Sequence, residues 1–350
     1  MPVYLKGNSH SRDLRPGNGR PGKPAADSGG SGASVNIGLI NNMGDAALEA
    51  TERQFFALLS AASAGMSVKL SLYALPDVPR NDLGRDRIQR FYSSLQNLWD
   101  TQLDGLIITG REPRTPNLKD EPYWNSLIEV LDWADENTSS AIWSCLAAHA
   151  AILHMDGINR RRSNEKRCGV LDCVRSAHHP LTAGLPACIK VPHSRWNDIP
   201  EDELAACGYS VLTRAEDAGV DTVVKQRNSL FVFLQGHPEY ESDTLLLEYR
   251  RDVKRYLKGE TDTYPSMPRS YFDRDTTDAL AALGEKALVD RDHQLLAGVE
   301  AALNGKPISQ TWAPTAARMY GNWLRYLCEQ KQCWSRQRSP TVTVQTIQVG

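Results

Sequence analysis

The feature that most narrows what this chain can fold into is an alternation, starting at Val35, of short continuous apolar runs with longer stretches of helical spacing. VNIGLI leads through the turn-like NNMGD into AALEATERQFFALLSAA, where Leu48, Phe55, Leu58 and Leu59 carry the helical spacing. SVKLSLYAL then reads as a strand, RDRIQRFYSSLQNLW as a helix, DGLIITG as a strand and EPYWNSLIEVLDWADEN as a helix. SSAIWS is a fourth strand that runs straight into the helix CLAAHAAILHM. Strands alternating with helices of this length build a parallel sheet covered by helices on both faces. In such sheets, sites form at the carboxyl edge of the strands.

The flanks read differently. Residues 1–33, rich in Gly, Pro, Ser and Arg and ending in ADSGGSGAS, carry too few apolar residues to offset the entropy of ordering, and are expected to form a disordered arm. The main domain is expected over 34–333. From about Asp156 to Val223, Pro, Gly and His punctuation predicts substrate-facing loops and short strands. NSLFVFLQGHPEY is a further buried strand ending in Gly-His-Pro, and SDTLLLEYRRDVKRYLKG an amphipathic helix. An Ala/Leu-rich helix pair forms an insertion near 262–310, TAARMYGNWLRYLCEQ is the last helix, and 334–350 is a polar tail.

Composition removes several function classes. A formal charge of −2 with 23% charged residues gives no electrostatic reason to bind nucleic acid or an anionic membrane. The longest apolar runs, such as Leu106–Ile108 and Leu230–Leu234, fall far short of the roughly 20 residues of a membrane-spanning helix. The N-terminus lacks the apolar stretch of a secretory signal. Seven scattered cysteines, an odd number, do not form a disulfide framework, so reduced thiols and a cytoplasmic location are expected.

Chemistry concentrates at two predicted strand ends. Cys145, in Ser144-Cys145-Leu146, sits where a buried strand meets a helix. There the free helical N–H groups and the positive end of the dipole favour its thiolate form. The same N–H groups, that of Leu146 above all, suit an oxyanion. The competing reading is a buried core cysteine in a small-residue helix. His237 and Glu239, in Gly236-His237-Pro238-Glu239, end another strand and supply what a nucleophilic cysteine needs, a base and a group to orient it. On residue chemistry alone both readings stay open.

The succession of DGLIITG, WSCLAAHAAIL and GHPEY resembles the class I glutamine amidotransferase-like fold, a flavodoxin-like sheet with a Cys-His-Glu triad. Finer features are similar to the homoserine O-succinyltransferase family. They are Met43 followed by TERQF, PYW downstream of DGLIITG, NEKRCGV, VPHSRW, GHPEYESDTLLLEYRRDV and GNWLRYL, covering about residues 35–256 and resuming near Trp312–Tyr326. The resemblance implies that Cys145 takes the acyl group from acyl-CoA, with His237 as base and Glu239 as its partner. It implies that Arg251 binds the amino-acid carboxylate, that Lys166 and Ser194 lie at the substrate site, and that the enzyme is a homodimer acting on small molecules with no bound cofactor.

Two departures from the family stand out. Where the family has Met-Pro and two lysines, this chain has Met43-Gly44-Asp45-Ala46-Ala47-Leu48, so the oxyanion must rely on backbone N–H groups such as that of Leu146, or on another cation. At the position that is glycine in succinyl users and glutamate in acetyl users, the register from Thr109-Gly110 to Tyr123-Trp124 places Arg114. A cation there suits a succinyl carboxylate, or narrows the pocket for acetyl, and neighbouring Glu112 would serve acetyl chemistry if the loop shifted. Cys168, Cys173, His178 and His179 lack a zinc spacing, and no metal is expected. His149 and His154, five residues apart, read as packing or surface residues. The expected activity is transfer of a succinyl or acetyl group to homoserine through a Cys145 thioester, in methionine biosynthesis. Its alternatives are a serine acceptor, a glutaminase and a non-catalytic binder of the same fold.

Overall fold

A computed structural model of the chain describes residues 3–6, 33–306 and 308–338. In chain order its first elements are β1 (Val3–Lys6), β2 (Ser34–Ile40), α1 (Leu48–Ala62), β3 (Ser67–Tyr73), α2 (Asp82–Phe91), α3 (Leu95–Trp99), β4 (Gly105–Thr109), α4 (Trp124–Asn137), β5 (Ser140–Ser144) and α5 (Leu146–Asp156). There follow β6 (Arg161–Arg175), β7 (Cys188–Asp198), α6 (Glu201–Ala206), β8 (Ser210–Ala215), β9 (Gly219–Gln226), β10 (Leu230–Leu234) and α7 (Thr244–Leu257). Three helices close the described chain: α8 (Arg274–Val289), α9 (Leu295–Leu303) and α10 (Ala313–Arg338). None of the described helices is long and apolar enough to cross a membrane.

All ten strands join one sheet in the order β1-β3-β2-β4-β5-β10-β9-β8-β6-β7. From β1 to β10 every neighbour is parallel, and the order β3-β2-β4-β5-β10 is that of a flavodoxin-like sheet. Every residue of β4, β5 and β10 is buried, as expected of parallel strands covered on both faces. Period-two alternation divides the core. Leu39, Leu70, Ile107, Ile142 and Val232 pack with α1 and α10 on one face, while Ile40, Ile108, Trp143, Phe231 and Phe233 pack with α4 and α5 on the other.

Register is what places the site. Thr109 pairs with Ser144 and Leu234 with Ser144, so β4, β5 and β10 end level. Gly110, Cys145 and the turn beginning at Gln235 therefore leave the sheet side by side at its carboxyl edge.

Three expectations about the flanks need correction. Val3–Lys6, inside the supposed arm, is an edge strand parallel to β3, with Val3 buried. Averaging composition over 1–33 hides the short apolar run Val3-Tyr4-Leu5, and residues 7–32 lie outside the described residues. The stretch after Asp156 is a four-stranded antiparallel extension, with β6 running for 15 residues, in place of loops and short strands. The first half of β6, RRSNEKR, is mostly exposed and so carries no apolar alternation to reveal it. Last, α10 continues to Arg338, past the boundary expected at 333, because no Gly or Pro lies between Gly321 and Pro340. The rest of the expected tail lies outside the described residues.

Candidate active site

Cys145 occupies the joint between β5 and α5 with φ 52° and ψ −114°, a positive-φ conformation that a residue with a side chain rarely adopts. Strain of this kind, about 1–3 kcal/mol, persists only where the surroundings over-determine it. Here the Cys145 N–H donates to the Leu234 carbonyl at 2.6 Å, and the Cys145 carbonyl accepts from the N–H groups of Ala148 and His149. The resulting sharp strand-to-helix turn leaves the thiol half-buried at the sheet edge. As the first residues of a helix, Leu146 and Ala147 have N–H groups without an intrahelical acceptor. Gly110 presses against them: a Cβ there would lie 2.7 Å from the Leu146 nitrogen and 2.6 Å from that of Ala147.

The candidate base, His237, comes from the turn after β10. Its backbone is fixed by the His237 N–H donating to the Pro192 carbonyl at 2.7 Å. Nδ1 of His237 lies 2.8 Å from Oε1 of Glu239, and both residues are buried. With Nδ1 so engaged, Nε2 is the nitrogen left for the thiol. Tyr240 stacks on the imidazole, with ring centroids 4.3 Å apart. Burial alone would depress the imidazole's pKa, but the Glu239 carboxylate and the hydrogen-bonded Cys145 sulfur outweigh it and hold His237 well above its ordinary value. An imidazole with a raised pKa beside a thiol, with a carboxylate behind it, is an arrangement suited to nucleophilic acyl chemistry.

Beneath this turn lies a buried polar set. Asp221 accepts from the hydroxyls of Thr213 and Thr222 and from the Gly236 N–H, and lies 3.2 Å from His193 Nε2. Candidate ligand atoms of Cys173, His193 and Asp221 lie within 4.8 Å of one another. The Asp221 oxygens are already committed to hydrogen bonds, and through the Gly236 N–H the set braces the turn that carries His237. Of the cysteines and histidines weighed as metal ligands, Cys173 alone belongs to it. His149 is buried with Nε2 3.0 Å from Gln235, and burial chiefly drives its pKa down to about 3.

Arg251, Lys166 and Ser194 meet on a second cluster built on α7, β6 and β7. Lys166 pairs with Asp252 at 2.8 Å and lies 3.8 Å from Glu248. The Ser194 hydroxyl donates to Glu248, which also accepts from the Tyr240 hydroxyl at 2.7 Å. Arg251, half-exposed, lies 2.8 Å from Asp252. Tyr240, stacked on His237 and bonded to Glu248, thus joins this cluster to the triad. Sequence reasoning passed over Glu248, Asp252 and Tyr240. The available signal was helical spacing, since Glu248, Arg251 and Asp252 stand at i, i+3 and i+4 and share a face of α7. Arg114 is exposed on the loop after β4; its N–H donates to Glu121, and its side chain forms no hydrogen bond or ion pair with a described residue. Glu112 on the same loop lies 3.7 Å from Arg255.

A family model described as homoserine O-succinyltransferase matches residues 28–334. The chain is 48% identical over 290 residues to a homoserine O-succinyltransferase of Rhodopseudomonas palustris, covering 83% of this chain and 87% of that protein. To one of Methylorubrum extorquens it is 46% identical over 290 residues, covering 83% and 86%. Among solved structures, a glutamine amido transferase from Methylobacillus flagellatus aligns at 16% identity and a TM-score of 0.46, over 85% of this chain and 96% of that one.

Proposed function

The chain belongs to the homoserine O-succinyltransferase family, and from that premise we propose that it carries a succinyl group from succinyl-CoA to the hydroxyl of L-homoserine through a thioester on Cys145. The observation that carries this reading is the junction at Tyr240, which ties a Cys-His-Glu triad to a cluster able to hold an amino acid.

In the first half, the Cys145 sulfur attacks the succinyl-CoA carbonyl and His237 holds the thiol proton. The oxyanion forms against the N–H groups of Leu146 and Ala147. Collapse breaks the bond to CoA, whose sulfur takes the proton from His237. In the second half, homoserine binds with its ammonium toward Glu248 and Asp252 and its carboxylate on the Arg251 fork. Lys166 and Ser194 fix those acids. His237 takes the hydroxyl proton, the oxygen attacks the thioester, and collapse returns the proton to Cys145 as O-succinylhomoserine leaves. A covalent intermediate divides one transfer into two easier ones. The loop after β4, with Arg114, lies on the donor side.

Intact-protein mass spectrometry after mixing with succinyl-CoA is expected to show one succinyl adduct on Cys145, discharged by homoserine. Discharge by serine in preference to homoserine would change the acceptor. Ammonia release from glutamine without an adduct would make the chain a glutaminase, and no turnover of either kind would make it a binder.

Gly110 offers a test of the oxyanion geometry. Because a Cβ at Gly110 would collide with two backbone nitrogens, Gly110→Ala displaces the donors themselves. kcat/KM is expected to fall roughly 100-fold, the order lost with one oxyanion donor, with far-UV circular dichroism unchanged.

A further inference from the structure

Two guanidinium groups near the start of α5 keep buried nitrogens unpartnered among the described residues. Arg111 directly follows Gly110, and its Nε and Nη1 are buried with no hydrogen-bond partner among the described residues. With Asn42, Gly110, Tyr123, Leu146 and Ala147 it lines a recess at the start of α5. Arg160 arrives from beyond the other end of α5. Its Nη2 donates to the Pro116 carbonyl at 3.2 Å, while its Nη1 is buried and unpartnered. Tyr123 lies within electrostatic reach of both arginines, and Arg160 within that of Cys145.

The charges do not balance. Glu121 is the acid facing Arg160, yet its Oε1 is taken by the N–H groups of Arg114 and Thr115 and by the Thr115 hydroxyl, while its Oε2 is buried and unpartnered. Two guanidinium groups against one carboxylate leave a surplus positive charge. Burial is the main influence on Arg160 and draws its pKa down, so its present partners do not offset its desolvation. Buried unpaired N–H groups cost free energy, and a planar fork with free donors is matched in shape and charge by a carboxylate. The nearby Arg80 also has an unpartnered buried Nε, but both of its terminal nitrogens are taken, by Asp45 and by the carbonyls of Asn41 and Met43.

We propose that Arg111 and Arg160 bind the terminal carboxylate of the acyl group while its carbonyl lies at Cys145, selecting a dicarboxylic acyl-CoA as donor. The inference rests on the acyltransferase reading above and deepens it. It moves donor recognition from Arg114, which is exposed, to an arginine three residues earlier whose donors are buried and unused. Succinyl's far carboxylate stands two methylenes beyond the reacting carbonyl, and in this proposal it enters the recess beside Leu146.

The test compares kcat/KM for succinyl-CoA and butyryl-CoA, which share CoA and chain length and differ in a carboxylate against a methyl. Arg111→Gln and Arg160→Gln are each expected to lower the succinyl-over-butyryl preference roughly 100-fold, as when one partner of a buried charged pair is removed. Arg111→Lys and Arg160→Lys should keep more of the preference, because they keep the charge and lose only the fork. Equal losses with both donors would mean that the arginines hold CoA or the fold, and an unchanged preference that they do not touch the acyl group; either result overturns the inference alone. A wild-type chain that takes neither donor onto Cys145 overturns the acyltransferase reading and this inference with it.

Discussion

Cys145→Ala is expected to abolish transfer, lowering turnover by about 10⁵–10⁶-fold, the order seen when the nucleophile of a triad is lost. No acyl adduct should form. The same position allows a separate check on why the residue is held as it is. At φ 52° an alanine keeps the steric cost of a Cβ and a glycine does not. Cys145→Gly should therefore be as inactive as Cys145→Ala yet more stable by about 1 kcal/mol, measured by urea unfolding. Such a result would show that the turn stores strain in order to present the thiol, a trade of stability for activity. If Cys145→Ala retains wild-type turnover, another group carries the acyl chain. If the glycine variant is no more stable than the alanine variant, the turn is not strained.

How much of this was legible in the sequence depended on whether the signal was local. The parallel half of the sheet could be read because β4, β5 and β10 are continuous apolar runs that end abruptly, in Thr-Gly, Ser-Cys and Gln-Gly-His. Since level register sets those ends side by side, locating the strand ends was nearly enough to bring Cys145, His237 and Glu239 together. The antiparallel half was not legible, because the residues that open β6 face solvent and read as loop. Glu248 was missed although it lies three residues before Arg251, since one acidic residue on a polar helix face looks solvated until Ser194 and Tyr240 are seen to converge on it. Arg111 and Arg160 could not have been found at all. What singles them out is that buried guanidinium nitrogens stand unpartnered, among the described residues, close to the start of α5, and that is a property of the folded chain.

Glu239→Gln separates what the carboxylate does for geometry from what it does for charge. An amide is nearly isosteric with the carboxylate, so the 2.8 Å contact to Nδ1 can persist. Two things change. The amide can present its NH₂ to Nδ1 and so favour the tautomer with the proton on Nε2, the nitrogen needed as base. It also removes the charge that, with Cys145, outweighs burial and holds the imidazole's pKa well above the usual value. kcat/KM is expected to fall about 10³–10⁴-fold, as when the orienting acid of a triad becomes its amide. His237 should then titrate at lower pH, followed by its imidazole proton resonances. Stability gives the sign independently. A raised folded-state pKa contributes stability that is fully present below the unfolded value of about 6.5 and is lost as pH rises through the folded value. Wild type should therefore exceed the variant most at and below about pH 6.5, with the gap closing as pH climbs through the wild-type His237 pKa. A gap that stays constant across that window would mean that Glu239 acts by packing alone, and an unchanged His237 titration would assign the raised pKa to Cys145.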